Sequence, residues 1–202
     1  MKSIRSLLGL AVAVLVLAQS QVQAASDIFI RFTGASAGSG LNYTGDSKNA
    51  QFLGNQGWFE ANSVEFGMEN VITIGSATGG VGVGKAKANP LSCVKMPNSA
   101  SAALFTACAT GGHWDVMEIV FTKLSPNGKT EAYLRVELKL VFVSELAMEM
   151  AGGDDNPSET VTVAYGAQRL TFFGPPASGV GTPVQTGQSI WSFVKNNKTF
   201  DA

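Results

Sequence analysis

Apolar and polar residues alternate along much of this chain, most clearly in EAYLRVELKLVFVSELAM, residues 131–148. There Leu134, Val136, Leu138 and Leu140 are expected on one face and Tyr133, Arg135, Glu137 and Lys139 on the other, the period-two pattern of a half-buried β-strand. WDVMEIVFTK, residues 114–123, reads as the strand before it. SPNG between them carries proline and glycine where turns favour them, so the two strands are expected to form a hairpin. DIFIRF, residues 27–32, alternates in the same way, as a strand near an edge does. Further strands are expected over 58–69, in NPLSCVKM, in TVTVAYGAQRLTFF and in SIWSFV.

One stretch changes period. In NSASAALFTACATGG, residues 98–112, Ala103, Leu104, Ala107 and Cys108 fall at helical spacing. Asn98 or Ser99 can cap the first N–H groups, and Gly111 and Gly112 can supply the left-handed stop. Between the elements lie polar or glycine-rich stretches: 33–50, the run around GGVGVGKAKANP, GGDDNPSE, and a Gly/Pro-rich linker over 174–187. A mainly β fold with one helix follows, a small barrel or sandwich.

Composition agrees, with 23 glycines and only 14% charged residues, as suits strands joined by tight turns. The N-terminus adds a destination. Lys2 and Arg5 precede the uncharged run LLGLAVAVLVLA, and QSQVQA follows, ending with Val22 and Ala24 at the −3 and −1 positions. That is the layout of a secretory signal peptide cleaved after Ala24, leaving residues 25–202 as one periplasmic or extracellular domain. The run is too short to cross a bilayer, which takes roughly 20 apolar residues. With a formal net charge of −1, and less once Lys2 and Arg5 leave, the chain has no electrostatic footprint for nucleic acid or anionic lipid. Export to an oxidising compartment allows Cys93 and Cys108 to form a disulfide; burial as two free thiols is the alternative.

Catalytic chemistry finds little to use. His113 is the one histidine, so H-E-x-x-H and His-rich metal sites are absent, and the alternation of the strand that holds His113 and Asp115 places no serine for a catalytic triad. Asp154 and Asp155 read as a solvated turn more than a calcium loop. Gly79, Gly84 and Lys85 match G-x-x-x-x-G-K, the phosphate-binding loop. Yet Ala86 stands where a magnesium-binding hydroxyl belongs, and Pro90 with a strand follows where a helix is needed. No cofactor and no enzymatic activity are expected.

Read in order, the segments DIFIRFTG, VEFGMEN, GGVGVGKAKANPLSCVK, SAALFTACATGGH, VMEIVFTK, YLRVELKLVFVSEL, GGDDNPSETVTVAYGAQRLTF and WSFVKNN resemble Hcp, the haemolysin-coregulated protein family that builds the inner tube of type VI secretion systems. The resemblance spans nearly the whole mature chain. It implies a compact antiparallel β-barrel flanked by one α-helix, hexameric rings stacked into a tube, effector proteins as cargo and a spike protein at the tip. It also implies an extended Gly-rich loop, here about residues 70–88, that reaches a neighbouring ring. Gly79, Gly80, Gly82 and Gly84 would let it lie on another subunit, and Lys85 and Lys87 would contact a protein rather than phosphate. The signal peptide departs from a tube assembled in the cytoplasm, and a monomeric secreted effector or binding module on the same barrel is the alternative role.

Overall fold

The computed structural model describes residues 26–73, 82–125, 128–153, 157–178 and 181–202. The expected signal peptide, Gly79 and Gly80, part of the SPNG turn, and Asp154 and Asp155 lie outside these residues. Among the described residues there are ten strands: β1 (Ile28–Ala35), β2 (Phe59–Ala61), β3 (Ser63–Glu65), β4 (Met68–Thr73), β5 (Gly82–Ala88), β6 (Leu91–Lys95), β7 (His113–Leu124), β8 (Thr130–Glu149), β9 (Ser158–Gly174) and β10 (Val184–Ser192). One helix, α1 (Ser101–Thr110), lies between β6 and β7.

The main sheet is antiparallel and runs β2-β1-β7-β8-β9-β6-β3, with β10 beside the second half of β9. Its two ends, β2 and β3, are neighbours in sequence, separated by Asn62, whose N–H donates to the Val94 carbonyl at 2.7 Å. One short segment therefore pairs with β1 at one edge and β6 at the other, and the sheet curls around to meet itself. Closure of this kind removes the edges that β2 and β3 would otherwise expose. The barrel expected from the resemblance is the one observed. The strand expected over 58–69 is in fact three pieces, because a single strand cannot pair with both edges without the break at Asn62. Likewise β10 begins at Val184, inside the expected linker, with a bulge between Gln185 and Gly187.

The interior is filled by Ile30, Phe32, Phe59, Leu91, Trp114, Met117, Ile119, Val136, Leu138, Val161 and Val163, all nearly or fully buried. The helix covers one side with Ala103, Leu104 and Ala107 and packs on β8. Asn98 Oδ1 accepts from the Ala100 N–H at 3.0 Å, and Ser101 Oγ accepts from the Asn98 N–H at 2.9 Å, a reciprocal cap on the first turn. Gly111, at φ +71°, closes the last turn through its N–H to Ala107.

The alternation expected through Leu140 breaks there. Val136 and Leu138 face inward, but the next buried positions are Val141 and Val143, because Leu140 adopts φ +54° and adds one residue to the pleat. Three neighbouring strands do the same. The inner row steps from Phe32 to Ala35 on β1, from Met117 to Trp114 on β7, and from Gln168 to Tyr165 on β9. The register places Ala35, Trp114, Val141 and Tyr165 side by side, so the extra residues Gly34, Asp115, Leu140 and Gly166 form one transverse row. This shared crease bends four long strands at the same level.

Residues 193–202 cross the crease on the outside. The Phe193 N–H donates to the Gly166 carbonyl at 2.9 Å, and a Cβ at Gly166 would sit 2.5 Å from the Ala202 Cβ. Phe200 lies under the Arg169 guanidinium, 4.4 Å from its carbon, and Asp201 pairs with Lys195. The stretch 36–58, of which the part up to residue 50 was expected to be a polar loop, is also ordered by the barrel. Leu41 enters the core, and Phe52 and Trp58 cover Phe29 and Val120 on the outer face.

Candidate functional site

Two features stand apart from the barrel's packing. The first is an arm. Strands β4 and β5 pair only with each other, Met68 opposite Ala88 and Glu69 opposite Lys87, and form a two-stranded ribbon separate from the main sheet. Gly82, Gly84, Lys85 and Lys87, expected in a loop, are instead in strand β5. The reason is local. The ribbon bulges between Asn70 and Ile72, and a Cβ on Gly84 would lie 2.8 Å from the Val71 carbonyl oxygen, so glycine permits the close approach. Lys87 forms an exposed ion pair with Glu69 at 3.5 Å, while Lys85 is exposed. The arm exposes apolar residues too: Val71 is 71% accessible and Ile72 57%.

The second feature is buried. The alternation LSCVK turns Leu91, Cys93 and Lys95 inward, and Glu159 stands opposite Lys95 on β9. Both side chains are fully buried and form an ion pair. Lys95 Nζ also donates to Ser101 Oγ at 3.0 Å, Asn98 Oδ1 at 3.1 Å and the Met96 carbonyl at 3.2 Å. Ser101 Oγ donates to Glu159 Oε2 at 2.6 Å, and Glu159 Oε1 has no partner. Opposite charges at the inward end of two alternating strands, Lys95 in LSCVK and Glu159 in ETVTV, were the signal available in sequence for this pair.

Cys93 and Cys108 are both free thiols, Cys93 inside the barrel and Cys108 on the helix. Burial pushes the Cys93 thiol up to about 12, with Lys95 partly offsetting it and Glu159 adding to it. Burial also raises Tyr165 to about 12 and lifts Tyr43 above its ordinary range. Tyr43 braces the 36–58 stretch, accepting from the Phe32 N–H at 2.7 Å and donating to the Gly57 carbonyl at 3.0 Å. All three groups are neutral near pH 7 whether folded or not. Above about pH 9, where an ordinary thiol begins to ionise, the unfolded chain loses protons that the fold retains, so stability falls as pH rises. The denaturant midpoint is expected to hold up to about pH 9 and decline from there toward pH 12; a midpoint that stays level across that window refutes the assignment.

His113 begins β7, its ring 5.0 Å from that of Phe142 and its backbone N–H donating to Ser36 Oγ at 3.3 Å. Asp115 lies in the crease. Among the described residues no group of three or more His, Cys, Asp or Glu side chains is placed to hold a metal, and no helix is long and apolar enough to cross a membrane.

The curled antiparallel barrel with its flanking helix matches one family. The family model for the type VI secretion system effector Hcp matches residues 29–172. The chain belongs to the Hcp family. It is 31% identical over 108 residues to the Pseudomonas aeruginosa protein hcp1, a match that covers 52% of this chain and 66% of that relative. Among solved structures, a type six secretion system protein superposes with a TM-score of 0.71 at 23% identity, over 87% of this chain and all of that one. Hcp1 from Salmonella typhimurium gives 0.60 at 20% identity, over 86% and 98%. Hcp1 from E. coli EAEC 042 gives 0.62 at 18% identity, over 84% and 99%. These likenesses carry the fold, which is that of a type VI secretion tube protein. Family members are secreted and self-assemble into rings.

Proposed function

We propose that this chain is a structural, non-enzymatic subunit, exported after cleavage near Ala24, that closes into hexameric rings and stacks them into tubes. The arm carries the reading. Strands β4 and β5 bond only to each other and expose Val71 and Ile72 on a ribbon that contributes nothing to the main sheet. An apolar arm of this kind is stabilised when it lies on another surface, and the adjacent subunit or ring is the surface that symmetry supplies. Strand β10 adds support, because it pairs only with β9 and its outer edge is open to a further strand. Effector proteins would travel in the lumen, and a spike protein would cap the tip. The export signal favours a second reading, a monomeric secreted effector or binding module that kept the barrel and lost the tube.

Electron microscopy and mass measurement on one sample of residues 25–202 separate the two. Sixfold rings or tubes support the first, and a monomer that persists at high concentration refutes it. Replacing residues 70–86 with a short Gly-Ser link is expected to leave the melting temperature nearly unchanged, because the arm lies outside the main sheet, and to abolish stacking. Tubes of unaltered length would sink the arm's role.

A further inference from the structure

The buried cluster holds more chemistry than an ion pair requires. It brings together an amine, Lys95 Nζ, a carboxamide, Asn98, and a carboxyl group, Glu159, whose second oxygen has no partner. We propose that Lys95 and Asn98 join in an intramolecular isopeptide bond, with Glu159 as the proton acceptor.

The geometry assigns each part. Lys95 Nζ lies 3.1 Å from Asn98 Oδ1, so the carboxamide carbon is one bond beyond the contact. Lys95 and Glu159 are both fully buried, with the Phe59 ring 5.5 Å from Nζ, and separated charges are costly in such surroundings. Transfer of a proton from the Lys95 ammonium to Glu159 frees the nitrogen lone pair. The amine then attacks Asn98 Cγ. The oxygen that gains charge is Oδ1, already held by the Ala100 N–H at 3.0 Å, a backbone donor fixed by the first turn of the helix. A second proton from the attacking nitrogen passes to Nδ2 as the Cγ–Nδ2 bond breaks, ammonia leaves, and Glu159 keeps the first proton as a neutral acid. The products are one secondary amide and one ammonia, with no change of oxidation state and no other reactant. The leaving group faces the right way. Nδ2 donates to Asp46 Oδ1 at 3.3 Å, and Asp46 and Asn98 line one open cleft of about 260 Å³, so ammonia exits to solvent while the amine stays dry.

Fixed proximity is what the reaction needs, since holding two groups in contact replaces a bimolecular encounter. Both ends are fixed, Lys95 by the β6–β9 register and Asn98 by its reciprocal cap with Ser101.

Intact mass and tryptic mapping of purified residues 25–202 test the assignment. The expected mass is short by one ammonia, and trypsin fails to cut after Lys95 in the denatured chain. Asn98→Ala restores both the full mass and the cut; this variant loses a helix cap and remains able to fold, which circular dichroism checks. Asn98→Asp loses one water in place of ammonia. A full-length mass with complete cleavage after Lys95 overturns the proposal. So does hydrolysis of Asn98 to aspartate with cleavage retained.

Discussion

In the Asn98→Ala background, where no cross-link forms and Lys95 stays a free ammonium, Lys95→Met is expected to lower the free energy of unfolding by about 3–5 kcal/mol, a large share of a typical domain's stability. The argument rests on what remains, because the variant leaves Glu159 fully buried and its carboxylate without a counter-charge. One of its oxygens already lacks a partner. Ser101 Oγ, which donates to the other, is too weak a partner to hold a charge in the interior. Lowering the pH, which neutralises the orphaned carboxylate, should return part of the loss. The double variant Lys95→Met, Glu159→Leu should recover most of it, since apolar groups of similar size often replace a buried pair at no net cost. Chemical denaturation of the four proteins in the cycle reads this directly. A single variant within about 1 kcal/mol of the parent would mean water reaches the pair, as a surface ion pair costs no more than that to lose.

The cluster also marks where the sequence was legible and where it was not. Local signals carried the helix and the central hairpin, whose Asn98 and Gly111 caps and period-two runs lie within a few residues of what they specify. The inward side of β6 was legible in the same way, and with it the placement of Lys95 inside. Its pairing with Glu159 was not, because Glu159, turned inward by ETVTV, lies far along the chain and meets Lys95 only through the β6–β9 register. The form of the arm was missed for a different reason. Glycine usually marks a loop, but in a two-stranded ribbon with a bulge, Gly84 is what lets the backbones approach. The break at Asn62 depends on both edges of the sheet arriving at one segment, a property of closure that no window of sequence contains. Family resemblance supplied the barrel and located the extended segment at 70–88; physical reading of the ribbon corrected its form.

The crease joins the hidden part of the fold to its largest backbone effect. Gly34→Val is expected to destabilise the barrel by at least about 3 kcal/mol, more than an exposed strand glycine would suggest. Two costs coincide. Gly34 sits at φ +70°, a conformation that a β-branched residue rarely tolerates. A Cβ there would also stand 2.5 Å from Asp115 Oδ2 and 2.7 Å from the Asp115 Cβ, so turning the carboxylate aside does not clear the space. Glycine at 115 does clear it, and Gly34→Val with Asp115→Gly should therefore regain the steric part while keeping the backbone part. Gly38, at the similar φ of +71° but with open space around it, isolates the backbone cost, and Gly38→Val should lose only about 1–3 kcal/mol. Equal losses at Gly34 and Gly38 in thermal or denaturant unfolding would show that the Asp115 contact is absorbed by the strands. A greater loss at Gly34 is the expected result, and its excess over Gly38 is the cost of the Asp115 contact, set by the register that places Gly34 opposite Asp115 in the crease.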